Sequence, residues 1–600
     1  PVLLTGEGGI GKTALALAAL HGAARPPGGV LYADLGAHSL LPPTLDALVG
    51  RFLRALGITT VPPDPAEAYA LLLSLADDRP VGLLLDNAAG WEQVTPLLAL
   101  APAPMVVTAR TPPPELLAAE VRHHRLGPLP PDAAHHLFTT TCTRPVPARL
   151  LDPLLARCAG RPLAIVLAAA RHALDPSTTH LPGPRPAAAL PETTVDDALT
   201  HAHDALGASH PAAARLYRVL GTLPLPGIRI DTAMAAAAAA LDPDTCRRLL
   251  AILTDRRLIT PDNPEQLDGR FVFAAADGRR HAARLATLAD GPTAAHTFLA
   301  RALDWLTAQA HDAARQLAPH RRDLPPELLH LPTHHPHIHT PDQARTFFAT
   351  HDDVLLTALH TARDARLDAH TAFLAHAYFP HLLRRRDYQV WVTALDLAVT
   401  AAYRLTSQAP RAGSGRALLR ELLGSRATAL RALGRHNGAI ADCRIAHTMA
   451  IEDRDQADEA RALHDLAACY RGCGRPDDAR PHLQNAHAMR QALGRARDAA
   501  VTLTALAETV ADLGERSTAL DYLQTARRAL LAEGDQLNAA RALALTGHLL
   551  TADGHPDDAR DALRQALAEF EAEHAVLWQA RVLNWNALAA EAQHRNHEAI

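Results

Sequence analysis

Near its start the sequence carries residues whose types and spacing describe one chemistry. Gly6-Glu-Gly-Gly-Ile-Gly-Lys-Thr13 has the form GxxxxGK[ST]. It follows the short apolar run Pro1-Val-Leu-Leu-Thr5, fit for a buried parallel strand, and precedes the helical pattern Ala14–Ala24. Glycines at 6, 8, 9 and 11 let the backbone curl, so that N–H groups along Gly6–Ala14, Ile10 among them, point at phosphate oxygens. The following helix adds the positive end of its dipole. Lys12 supplies a point charge for the β- and γ-phosphates, and Thr13 a hydroxyl for Mg2+. The bland alternative is a glycine-rich turn with an incidental lysine. Lys12 is the only lysine in the chain, all other basic residues being arginine, so abundance does not explain its place in the pattern.

Two later segments complete the chemistry. Val81-Gly-Leu-Leu-Leu-Asp86-Asn87 is an apolar run ending in a carboxylate, expected as a buried strand whose Asp86 holds Mg2+ together with Thr13. The competing role for Asp86 is a cap on the next helix. Asn87 stands where a second acid would orient an attacking water. An amide is a poor proton acceptor, so any hydrolysis is expected to be slow. Met105-Val-Val-Thr108-Ala-Arg110 is a further strand, and ligands of open α/β sheets sit at strand carboxyl ends. Arg110 is thus placed to reach a γ-phosphate, or else is a surface arginine. Val30–Leu35 is expected as another strand. Leu45, Leu48, Val49, Phe52, Leu53 and Leu56 mark 43–57 as an amphipathic helix.

These segments, followed by Cys158-Ala-Gly160-Arg-Pro162-Leu-Ala164, occur in the order found in NB-ARC ATPases of the STAND class. The chain most resembles AfsR-like (SARP-type) regulators of actinobacteria, in which an NB-ARC module is followed by a helical linker and tetratricopeptide repeats. The resemblance implies that Pro162 packs on an adenine and that Thr108 and Arg110 read the γ-phosphate. It also implies a His-Asp pair in the winged-helix segment that touches bound ADP. Aligning on Arg279 and His281 puts Ala275 and Ala276 at that pair, which would weaken an ADP-locked resting state.

Length and composition bound the rest. Six hundred residues exceed one hydrophobic core. A net charge of −5 gives no global basic field for nucleic acid or an anionic membrane. No apolar run is long enough to span a bilayer, and there is no signal peptide pattern. The six cysteines show no zinc or CxxC spacing and read as buried thiols of a reducing cytoplasm. A start at Pro1 and a stop at Ile600 within a repeat suggest a fragment, with any DNA-binding region lying outside it.

The expected architecture is multidomain: an α/β P-loop domain with a parallel sheet (1–127), a helical domain and linker (128–192), a winged helix (193–290), a helical linking region (291–412) and an all-α repeat superhelix (413–600). The proline-rich stretch Leu181–Leu190 is expected as a linker, and Leu258–Phe273 as a wing hairpin around Asp268-Gly269. His330–His339, with five histidines, reads as a mobile loop rather than a metal site, and Arg384-Arg385-Arg386 as a solvated helix end.

The repeats have a period of 40, marked by Gly434, Gly474, Gly514 and Gly554, by Leu423, Leu463, Leu503, Leu543 and Leu583, and by small residues at 427, 467, 507, 547 and 587. Such arrays present a concave face to a protein partner. The function expected is an ATP/ADP-binding switch with Mg2+, at most a slow ATPase, assembling as an ATP-dependent homo-oligomer and carrying a protein partner on the repeats. The rivals are an ATP-hydrolysing enzyme or conflict-system effector with the same core, and a degenerate repeat scaffold.

Overall fold

A computed structural model describes residues 1–22, 26, 28–36, 43–58, 61–62, 64–79, 81–90, 92–100, 104–112, 121–142, 144–174, 195–225, 229–261, 270–275, 277–332, 334, 336–408, 413–573 and 575–592. The chain divides into two compact units, Pro1–Arg386 and Asp387–Ile600.

The first unit begins with an all-parallel sheet. Strands β1 (Val2–Thr5), β2 (Val30–Asp34), β3 (Gly82–Asp86), β4 (Met105–Ala109) and β5 (Arg122–Arg125) lie in the order β2-β3-β4-β1-β5. β3 and β4 are buried at every residue, as strands covered on both faces must be. Alternation decides which face each leucine serves. Leu83 and Leu85 pack with helices α2 (Leu45–Ala55) and α3 (Pro65–Asp78), while Leu84 packs with Ala16 and Leu20 of α1 (Lys12–Gly22). Caps fix the helix starts: Thr44 accepts from the Ala47 N–H, and Asp64 accepts from Ala66 ahead of Pro65. β5, Arg-His-His-Arg, is an exposed edge strand that the apolar pattern did not mark.

Helices α4 (Pro131–Thr141), α5 (Ala148–Cys158) and α6 (Pro162–Leu174) follow, gathered around Phe138 and Ile165. The expected linker Leu181–Leu190 lies outside the described residues. Next come α7 (Val195–Ser209), α8 (Pro211–Thr222), β6 (Arg229–Asp231), α9 (Thr232–Ala239), α10 (Pro243–Asp255), β7 (Ile259–Pro261), β8 (Arg270–Phe273) and α11 (Gly278–Leu285). The three strands form an antiparallel sheet in the order β6-β8-β7. β7 and β8 pair as the expected hairpin, although Asp268 and Gly269 fall outside the described residues. Gly221 of α8 lets α11 pass so closely that a Cβ there would lie 2.2 Å from the Ala283 nitrogen.

Helices α12 (Pro292–Leu317), α13 (Pro341–Asp364) and α14 (Asp368–Arg385) close this unit. They correct two expectations. Described residues of the histidine-rich segment are tied to α12 rather than free: Asp304 of α12, fully buried, accepts from the backbone N–H groups of Leu329 and His330 at 3.0 and 2.9 Å, and Gln309 donates to Pro336 O at 2.9 Å. Arg385, read as a solvated helix end, pairs with Asp352, which also bonds Tyr378 and His381.

The second unit opens with α15 (Tyr388–Gln408) and α16 (Gly413–Ala432). Eight described helices of 17 residues then start every 20 residues: α17 (His436–Glu452), α18 (Gln456–Gly472), α19 (Pro476–Ala492), α20 (Ala496–Asp512), α21 (Arg516–Ala532), α22 (Gln536–Ala552), α23 (Pro556–Ala572) and α24 (Val576–Ala592). The excess of the 40-residue period over the usual ~34 therefore resides in longer helices, since the turns are short. Ala467 and Ala507 on the first helix of a pair meet Leu483, Leu523, Ala486 and Ala526 on the second, all buried in one continuous core. No described helix is long and apolar enough to cross a membrane.

Candidate nucleotide site

β1 delivers the chain to the loop Gly6–Gly11, and α1 starts at Lys12. Gly9 and Gly11 have φ of +70° and +93°, values open to glycine at little cost. Lys12 is buried, and its ammonium donates to the carbonyls of Gly6 and Glu7, at 2.8 Å each. Burial lowers its pKa, helped by the Arg110 charge, while Asp86, Asp277 and Glu7 act in the other direction. The loop thus holds a desolvated cation whose hydrogen-bond partners are neutral carbonyls, an arrangement that gains from an added anion.

Thr13 and Asp86 meet as the motif requires. The Thr13 hydroxyl lies 2.9 and 3.1 Å from the two Asp86 carboxylate oxygens, and the Thr108 hydroxyl donates to the same carboxylate. Burial raises the Asp86 pKa, and the two hydroxyls oppose it. Thr108 also accepts from the Asn87 N–H at 3.1 Å. Asn87 adopts φ +55°, a conformation asparagine tolerates better than most residues, and its amide donates to Asp34 at 3.3 Å. An acid at this position would face Asp34 across that distance.

Three distant segments converge on the loop. Arg161 pairs with Glu7 at 2.5 Å, and the Leu163 N–H donates to Gly9 O at 3.2 Å. Pro162, at the start of α6, stands so that a Cβ on Gly11 would be 3.8 Å from its ring. Arg110, just beyond β4, pairs with Asp277, and a Cβ on Gly8 would lie 2.8 Å from that carboxylate and 3.4 Å from the Arg110 guanidinium.

Asp277 was not singled out from the sequence. Arg279 and His281, the residues used to align this segment, point elsewhere. Arg279 donates to the carbonyls of Leu223 and Leu225 at 2.9 Å each. The His281 ring contacts Tyr217 and Thr200 at 3.1 and 3.0 Å. The acid beside the loop stands just past the two alanines, and of those Ala276 lies outside the described residues. The alanines therefore do not leave this segment without a carboxylate at the loop. The available signal was Asp277 itself, the first acid after β8.

The donor set fits a nucleotide phosphate chain with Mg2+: an ammonium, a run of loop N–H groups, and a hydroxyl beside a carboxylate. Among the described residues no group of three or more His, Cys, Asp or Glu could hold a metal alone, so a cation here would depend on phosphate oxygens as well as Thr13 and Asp86. A separate cavity of about 70 Å³, lined by Leu154, Cys158, Leu167, Arg171 and His201 among others, includes no loop residue.

Comparison with known proteins finds relatives of both parts of the chain. Residues 418–492 and 458–532 match the tetratricopeptide repeat family. The chain is 35% identical over 329 residues to the regulatory protein AfsR of Streptomyces coelicolor, a span of 51% of this chain and 32% of that protein. It is 35% identical over 289 residues to AfsR of Streptomyces griseus, covering 45% of this chain and 28% of the relative. The match thus spans about a third of the length of these relatives. A solved STAND protein with a tetratricopeptide repeat sensor from Pyrococcus horikoshii aligns over 100% of this chain and 91% of its own, at 14% identity and a TM-score of 0.36. By sequence the chain is a relative of the AfsR regulatory proteins over about half its length, and its C-terminal helices are tetratricopeptide repeats.

Proposed function

We propose that this chain is an ATP- and ADP-binding signalling switch of the STAND class, part of a cytoplasmic transcriptional regulator in which nucleotide exchange controls self-assembly and the repeats hold a protein partner. The supporting observation is the convergence of Arg110, Arg161–Leu163 and Asp277 on one phosphate-binding loop. Residues 193–290, with helices packed on a sheet ordered β6-β8-β7, serve in this reading as the winged helix that follows the state of the loop.

When bound, the nucleotide would supply phosphate charge and Mg2+ a counter-charge to it. Lys12 exchanges its carbonyl partners for phosphate oxygens, a stronger charge-assisted bond. The N–H groups of Gly8, Gly9, Ile10, Gly11, Thr13 and Ala14 line the phosphates. Thr13 and Asp86 would hold the cation, with Thr108 fixing the Asp86 carboxylate, and Pro162 would pack on the base. Arg110 has one guanidinium and two claimants, Asp277 and a third phosphate. With ADP it stays on Asp277 and keeps that segment docked; with ATP it is drawn away. Asn87, bound to Asp34, offers no base, so turnover is slow.

Light scattering tests this reading on the whole chain. ATP with Mg2+ should give a larger species than ADP, and Asp277→Asn should shift the ADP-bound chain toward that species. Identical species under ATP and ADP, in both proteins, would contradict it, as would turnover at the ~10 per second common among metabolic enzymes.

A further inference from the structure

Two thiols meet at the first joint of the repeat array. The sulfurs of Cys443 on α17 and Cys469 on α18 are 3.9 Å apart, and both residues are fully buried in the core that the repeats share. The two helices belong to consecutive repeats, so the contact crosses from one repeat to the next. The period sets this joint apart from the others. Leu483, Leu523 and Leu563 occupy the column of Cys443, and Ala429, Thr509 and Leu549 occupy that of Cys469. Among the described residues no other two thiols are in contact.

Packing alone does not ask for this pair. Leucine fills the Cys443 column in the later repeats, and a thiol there gives up apolar contact. In exchange, two touching thiols offer a bond that leucine, alanine and threonine cannot form. The sulfurs would close from 3.9 Å to about 2.0 Å. The hydrogen bond between them divides their roles: it raises the Cys443 pKa and lowers that of Cys469. Cys469 therefore gives up its proton more readily, and the thiolate is the form that reacts. A third thiol, Cys473 at the end of α18, is only partly buried. A small oxidant reaches the buried pair when the joint opens locally, since a repeat is held chiefly by its neighbours.

We propose that Cys443 and Cys469 form an oxidation site, a dithiol that a small peroxide converts to a disulfide joining the first two repeats. Peroxide transfers one oxygen to the Cys469 sulfur, giving a sulfenic acid and one water. The Cys443 sulfur then displaces that hydroxyl and forms the S–S bond, and the hydroxyl leaves with the Cys443 proton as a second water. The two thiols thus lose two electrons to the peroxide. In a reducing compartment the pair rests as thiols, and a thiol reductant restores it after oxidation. The bond ties α17 to α18 and stiffens the joint between their repeats. This inference goes beyond the nucleotide reading and does not rest on it.

The test treats the full chain with hydrogen peroxide and alkylates the remaining thiols before digestion. Mass spectrometry without reductant should find the Cys443 and Cys469 peptides linked, with two of the six thiols lost and both recovered by dithiothreitol. Cys443→Ala and Cys469→Ala should each abolish the link, and Cys473→Ser should keep it; circular dichroism melts confirm that the variants fold. Amide hydrogen exchange in α17 and α18 should slow about threefold or more in the oxidised chain and return with dithiothreitol, a comparison that needs no variant. Survival of all the thiols, a link that forms only in urea, a link between other cysteines, a sulfinic acid on Cys469 in place of the link, or exchange that the link leaves unchanged would each overturn the proposal.

Discussion

Around the nucleotide loop, residues far apart in sequence meet: Glu7 with Arg161, Gly9 with Leu163, Gly8 with Asp277. In the repeat array each helix packs chiefly on the helix before it and the helix after it. The loop therefore has no meaning without the rest of its unit, whereas a repeat needs only its neighbours. The difference predicts how damage spreads. Faults in the first unit should act at a distance and on ligand binding, and faults in the array should stay local and act on stability.

The largest stability effect is expected at Gly221. A Cβ there would come within 2.2 Å of the Ala283 nitrogen and 2.5 Å of the Ala282 carbonyl carbon, both backbone atoms. Gly221→Ala should cost more than ~3 kcal/mol and weaken nucleotide binding from outside the site, read by calorimetric melting and titration. A loss under about 1 kcal/mol would show that the crossing of α8 and α11 can relax.

Acid should separate the two regions next. Burial pushes the His281 pKa down to about 4, well below the ~6.5 expected in the unfolded chain. The unfolded state then binds the extra proton, so this contribution is full above pH ~6.5 and is lost as pH falls toward 4, by up to roughly 3 kcal/mol. In the array, His464 is pushed down to about 3 by burial, but its neighbour Asp465 is pushed up to about 6, also by burial. A raised carboxyl favours the folded state at low pH and loses that advantage as pH rises through 6, so the two oppose each other. The first unit should weaken more steeply than the array between pH 6.5 and 5, and His281→Gln should flatten its slope. Equal slopes in both regions would break the comparison.

A smaller effect tests the array against its own pattern. Alanine occupies 427, 467, 507 and 587, so the column invites Gly547→Ala, and helix propensity alone favours it by about 1 kcal/mol. A Cβ at 547 would lie 2.7 Å from Leu563 Cγ and 2.9 Å from Ala559 O. The substitution should therefore destabilise by ~1–2 kcal/mol in denaturant titration. Smallest is Arg454, which takes φ +55° at a turn whose counterparts Gly494 and Gly534 adopt +68° and +73°. Its N–H bonds Ile451 O at 3.0 Å, and that of Asp455 bonds Ala450 O at 2.9 Å, the helix-ending pattern that favours glycine. Arg454→Gly should stabilise by about 1 kcal/mol.

The same contrast governs what could be read from the sequence. The loop, Thr13, Asp86, Thr108 and the strands behind them were legible because motif and apolar run are local signals. The repeats were legible because periodicity accumulates over many copies. Asp277 was not, because its role depends on a contact with Arg110 across 167 residues and its alignment rested on Arg279 and His281, which serve the interior. β5 escaped because an edge strand of Arg and His carries no apolar alternation. The anchoring of His330 escaped because a buried acid such as Asp304 looks in sequence like any helix-surface aspartate.

The central claim is that the loop around Lys12 binds nucleotide. Calorimetric titration of ADP, and of ATP with Mg2+, into the whole chain and into Lys12→Ala tests it most directly. The account predicts saturable binding of both nucleotides by the unaltered chain, and a loss of about a hundredfold or more in the variant with its helical circular dichroism unchanged. Equal affinity in the two proteins, or no binding by the unaltered chain, would contradict it.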